Sequence, residues 1–103
     1  KAIMSSHGIS SEDMKILKNI LDSYNCVYVF GSRVKGSYKK FSDLDICLKK
    51  NISDYEYELL AEKFENSDLP FTVDVVEYCK VSDSFKKVID KEAISFDAFT
   101  KLS

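Results

Sequence analysis

At 103 residues the chain is long enough for one compact domain and too short for two. Its composition is globular, 45% hydrophobic and 31% charged, and no run approaches the ~20 apolar residues of a membrane span. A net charge of −2 excludes the basic excess of a dedicated nucleic-acid binder. Three cysteines without paired spacing (Cys26, Cys47, Cys79) exclude a disulfide framework and point to packing thiols in the cytoplasm.

Residues 1–9 lack periodicity and read as a loose leader. Met4 is a candidate natural start, which would make Lys1–Ile3 foreign to the protein. A helix over 11–24 follows. Ser10 can cap it, Ile9 and Met14 are spaced as a hydrophobic staple, and Met14, Leu17, Ile20, Leu21 and Tyr24 form one stripe. Cys26–Phe30 is a β-rich apolar run that stops at Gly31. Ser32–Ser42 is polar and reads as a turn with a short helix. Between Arg33 and Ser42 lie four cations (Arg33, Lys35, Lys39, Lys40) and no acid, which suits either a small polyanion or an ordinary solvated loop.

Asp43–Leu48 alternates as a strand, with Leu44, Ile46 and Leu48 on one face and Asp43, Asp45 and Cys47 on the other. Ser53 and Glu56 open a second capped helix that carries Tyr57, Leu60, Ala61 and Phe64 inward and ends near Asn66. Phe71–Tyr78 is the third strand. Asp83–Glu92 is the last helix, presenting Phe85, Val88 and Ile89. The order α-β-α-β-α-β-α predicts an α/β (α+β) domain over 10–96, with a small three-stranded mixed sheet flanked by helices and a tail over 97–103.

The informative segment runs from Gly31 to Asp45. A strand ends at Gly31-Ser32, ten residues intervene, and Asp43-Leu44-Asp45 opens the next strand. Period 2 sets both carboxylates on one face, where they repel unless a cation lies between them. Mg²⁺ suits such oxygen ligands and completes its octahedron with water and substrate phosphate. Glycine admits close backbone approach, and the following amides with the Ser32 hydroxyl can take phosphate oxygens. A two-metal site needs a third carboxylate. Asp74, the only acid inside the apolar stretch Phe71–Val76, is the candidate, against the alternative of a strand residue facing water. Glu77 falls on the opposite face from Asp74 and is expected at the surface.

Gly-Ser, ten residues, Asp-x-Asp and a later strand carboxylate resemble the DNA polymerase β-like nucleotidyltransferase superfamily. The brevity of the chain and Gly31-Ser32-Arg33-x-x-Gly36 resemble the minimal nucleotidyltransferases that form the antitoxin half of HEPN/MNT toxin–antitoxin pairs. The resemblance covers Ser10 to Ile94. It implies the nucleotidyltransferase fold and AMP transfer from ATP, with two Mg²⁺, onto a tyrosine of a HEPN ribonuclease toxin. It further implies Asp43, Asp45 and Asp74 as metal-binding catalytic residues, with Asp74 helping to deprotonate the acceptor. Gly31 and Ser32 would hold the β- and γ-phosphates, and Arg33 would contact phosphate. Lys35 stands where many relatives carry a second arginine and lacks its bidentate fork.

Two other readings compete. A binding-only antitoxin would keep a vestigial site, and a small-molecule nucleotidyltransferase would need an extra helical domain for which this length leaves no room. His7, the only histidine, falls in the leader, which excludes histidine-based chemistry. Tyr38 either stacks on a base or stands exposed.

Overall fold

Helix caps set most of the element boundaries. In the computed structural model, which describes residues 7–102, the Ser10 hydroxyl accepts from the Asp13 amide at 3.1 Å and opens helix α1, Ser11–Leu21. Ser53 does the same with Glu56 (3.1 Å) for α3, Asp54–Glu65. Ser82 does so with Phe85 (3.2 Å) for α4, Asp83–Glu92. Each cap satisfies an amide that the first helical turn leaves without an intrahelical partner. The staple expected at α1 forms, with Ile9 and Met14 both buried.

Strand β1 is Val27–Phe30, α2 is the single turn Ser32–Lys35, β2 is Leu44–Leu48 and β3 is Val73–Glu77. A two-residue strand β4, Ile94–Ser95, and helix α5, Phe96–Thr100, follow α4. The sheet order is β3-β2-β1-β4, so it has four strands among the described residues rather than the expected three. β1 runs antiparallel to both β2 and β4, while β2 and β3 are parallel, making the sheet mixed.

Alternation along β2 separates two apolar layers. Leu44, Ile46 and Leu48 join Leu17, Leu21, Leu60 and Phe64 under α1 and α3. On the other face Cys47 packs with Phe30 and Ile89, the latter supplied by α4. Val88, expected on the packed side of α4, is instead 40% exposed. No helix among the described residues is long and apolar enough to cross a membrane.

Both ends of the described chain differ from expectation. Residues 97–103 are not simply a tail, because Phe99 of α5 is fully buried in the main core, where truncation of a Phe costs about 3–5 kcal/mol. The expected loose leader is not loose over 7–9. His7 is only 3% exposed, its ring lies 4.9 Å from Phe99, and its Nδ1 accepts from the Ile9 amide at 3.1 Å. Met4 and the other residues before His7 lie outside the described part.

Candidate active site

Topology gathers the residues singled out by spacing. Antiparallel pairing sets Phe30 opposite Asp45, so Gly31 at the exit of β1 lies beside the entry of β2. Parallel pairing sets Asp74 directly opposite Asp45, on a neighbouring strand about 4.8 Å away. Asp43 lies one pleat before Asp45 and shares its face. The face is covered lower down by α4 through Phe30, Cys47 and Ile89, while Asp43 and Asp74 are exposed and Asp45 is half-buried.

Gly31 is required here for two reasons. Its φ of 83° belongs to the left-handed region, and a β-carbon on it would collide with Oδ2 of Asp45. The Asp45 carboxylate therefore rests against bare backbone. The first amides to bond back to the Gly31 carbonyl oxygen are those of Val34 and Lys35, both at 3.1 Å. The amides of Ser32 and Arg33 precede that bonding, as the first donors of any helical turn must, and Ser32 is half-buried beside them.

Electrostatics mark Asp45. Burial raises its carboxyl above the usual carboxylate value, and the charges of Asp74 and then Asp43 raise it further. Among the described residues none of the three carboxylates forms a salt bridge. Three acids around one mouth, none of them in an ion pair and only Asp43 near a cation, the buried Arg33, form a site of negative potential that a further cation relieves. The donor set fits Mg²⁺, which takes few protein carboxylates and several waters and phosphate oxygens. Among the described residues no three Asp, Glu, His or Cys side chains close into a ready-made metal cage. The carboxylates share a mouth without converging on one point.

Arg33 departs from the expected phosphate contact. It is 1% exposed. Its Nε and Nη2 donate to the Ser42 carbonyl oxygen (3.1 and 2.8 Å), and its Nη1 donates to that of His7 (3.0 Å). The guanidinium lies 4.6 Å from the Phe71 ring centroid and 5.4 Å from that of Tyr38. Burial lowers its pKa, opposed by Tyr38, Asp13 and Asp43, and it stays protonated. It is an internal clamp, joining the residue before Asp43 to the chain at His7, and it does not reach the mouth.

Tyr38 fits neither expected role, because its ring packs on Gly8 as well as under Arg33. Lys35, itself exposed, pairs with Glu92 of α4 at 3.1 Å, while the exposed Lys39 and Lys40 form no salt bridge among the described residues. Glu77 is not at the surface. It is 6% exposed, since its face of β3 is the one beneath the helices, and Lys80 meets it at 3.0 Å.

The family described as polymerase β nucleotidyltransferase matches residues 15–96. The chain belongs to that family. It is also 41% identical over 91 residues to a probable protein adenylyltransferase MntA of Haemophilus influenzae, covering 81% of this chain and 77% of that one. A chain from a crystal structure of a toxin–antitoxin with AMP-PNP superposes with a TM-score of 0.59 at 22% identity, covering 84% of this chain and 74% of its own. At that identity the likeness shows the fold.

As a minimal nucleotidyltransferase the protein departs from its sequence reading mainly at His7 and Arg33. Burial, and then the Arg33 charge, lower the His7 pKa, so the ring stays neutral and its Nδ1 remains an acceptor. The staple at Ile9 was the available signal that the chain is anchored just before α1. Nothing local to His7 indicated that its carbonyl would meet Arg33, 26 residues away.

Proposed function

We propose that this nucleotidyltransferase moves AMP from ATP onto a hydroxyl of a partner protein, a tyrosine of a HEPN-type ribonuclease toxin, and so acts as its antitoxin. The observation that carries the reading is the set of three carboxylates at one mouth, against Gly31 and without an ion pair among the described residues. The likeness to an adenylyltransferase supports the choice of AMP and of a protein acceptor.

In this reading Asp43, Asp45 and Asp74 would hold two Mg²⁺, and the amides of Ser32 and Arg33 with the Ser32 hydroxyl would hold the outer phosphates. When bound, the metal supplies neutralisation of the charge that develops on the transferring phosphoryl group. Gly31 lets the triphosphate approach the backbone. Asp74, exposed on the edge strand, takes the proton of the incoming hydroxyl. The acceptor oxygen bonds to the α-phosphorus, the bond to the bridging oxygen breaks, and pyrophosphate leaves. Arg33 keeps the loop entering Asp43 in place throughout.

Co-expression with the product of the adjacent reading frame, followed by intact mass spectrometry, tests this. One or more AMP units should appear on the partner and vanish with Asp45→Asn. Neutralisation of the toxin by the variant without any mass change would favour the binding-only antitoxin. AMP transfer to a small metabolite, with every co-purified protein unmodified, would sink the antitoxin reading and leave the nucleotidyltransferase.

A further inference from the structure

We propose that the open edge of β3 is the acceptor dock, where an extended, neutral or basic segment of the acceptor protein adds as a fifth strand and brings its hydroxyl to Asp74. The inference rests on the protein-acceptor reading above and specifies how the acceptor is presented.

Among the described residues β3 pairs only with β2. The Leu44 amide donates to the Thr72 carbonyl oxygen at 2.9 Å, and in a parallel ladder every second residue faces the same neighbour. Thr72, Asp74 and Val76 therefore turn their backbone groups to β2, and Val73, Val75 and Glu77 turn theirs outward. One outward group is already capped by a side chain that reaches round the edge, for the Tyr57 hydroxyl donates to the Val75 carbonyl oxygen at 3.0 Å. It occupies the place an incoming N–H would take. A docking strand would have to displace that hydroxyl; the outward N–H groups of Val73, Val75 and Glu77, for which the described residues supply no hydrogen-bond partner, are the template for a further strand.

A groove of about 680 Å³ runs along this edge. Its walls include Phe41, Tyr57, Phe64, Phe71 and Asp74, and Phe41 stands 62% exposed at one side. Because Asp74 belongs both to the groove and to the carboxylate mouth, the groove opens directly onto the candidate reaction centre. Its only charged lining residues are Glu65 and Asp74, so it repels a phosphate backbone and favours a neutral or basic peptide. The five residues of β3 span about 17 Å, the length of an extended pentapeptide. Side chains alternate across a sheet. A hydroxyl residue in register with Asp74 thus projects onto the face that carries Asp45 and Asp74.

The test follows backbone amides by NMR in the full chain with Mg²⁺ and a non-hydrolysable ATP analogue. The probe is acetyl-Val-Thr-Tyr-Thr-Val-amide, with an analogue N-methylated at alternate residues as control. The peptide should shift the amides of Val73, Val75 and Glu77 and slow their hydrogen exchange, and the N-methylated analogue should do neither. Val73→Pro removes an outward N–H at a position where an edge strand tolerates proline. It should weaken peptide binding about tenfold while leaving ATP-analogue binding unchanged. If that variant unfolds, the N-methylated peptide still decides.

Absence of edge shifts at millimolar peptide, shifts confined to the α1–α3 surface, or displacement from these amides by the nucleotide alone would overturn the inference. AMP transfer to a protein without peptide binding at the edge would remove the dock and leave the proposed function. Peptide binding at the edge without AMP transfer to any protein would remove the proposed function and leave the dock.

Discussion

Two acids three residues apart on β3 lie in opposite surroundings. Glu77 points under the helices, 6% exposed, with Lys80 at 3.0 Å, and Lys80 reaches on to Asp54 at 3.1 Å. Asp74 points to the other face, exposed, beside a half-buried Asp45 whose carboxyl is held above its usual value by burial and then by Asp74 and Asp43. Glu77 has its cation from within the chain on Oε2, while its Oε1 is buried without a hydrogen-bond partner among the described residues. The group at Asp74 is short of positive charge, and folding alone does not correct it. Where a protein leaves acids together without a cation, the missing charge belongs to what the site binds.

The contrast breaks most sharply in activity. Asp43→Asn or Asp45→Asn should lower the transfer rate on the order of 1000-fold, a loss of metal-borne charge stabilisation. Glu77→Gln should leave the rate within about twofold. Pyrophosphate release with purified partner measures both. A rate that falls equally in the Glu77 variant would erase the distinction between the two ends of β3.

Arg33 comes next, because the clamp serves the mouth without entering it. Arg33→Lys keeps the charge and loses the fork that spans Ser42 and His7, which should cost about 2 kcal/mol in urea denaturation. The same variant should bind ATP with little change. Full stability together with lost nucleotide binding would return Arg33 to the phosphates.

At the closed end, Lys80→Met strips Glu77 of its cation and should lower Tm by a few degrees while transfer persists. Unchanged Tm would mean that the buried carboxylate finds water or another donor.

The smallest effect is on stability at the mouth. A carboxyl with a raised pKa binds its proton more tightly in the folded chain. Its penalty on folding is therefore present in full above the raised value and disappears as pH falls through it towards the ordinary ~3.9. Asp45→Asn should accordingly be more stable than the parent at pH 7 and level with it near pH 3. Equal stability at both pH values would show that Asp45 is not strained by its neighbours.

What the sequence made legible was local. Caps at Ser10 and Ser53 are read from residues within one turn, and α4 falls at Asp83–Glu92 as expected. The shared face of Asp43 and Asp45 follows from period 2 alone. The fit of Asp45 against Gly31 came only with the structure, because it depends on the antiparallel return of β2. What was hidden depends on contacts distant in the chain. Phe99 is buried because α5 packs beside β1, and β4 is two residues long, too short to show a pattern. Glu77 is buried because its face of β3 lies under helices, although alternation had already separated it from Asp74. Spacing after Gly-Ser cannot tell whether an arginine turns outward to phosphate or inward to carbonyl groups, and Arg33 turned inward.

The claim that the carboxylate mouth needs an external cation to accept nucleotide is tested most directly by calorimetric titration of ATP into the protein, with Mg²⁺ and again with EDTA. Measurable affinity is expected with Mg²⁺ and its near-complete loss in EDTA, because Asp43, Asp45 and Asp74 repel a bare triphosphate. Equal affinity under both conditions would contradict it.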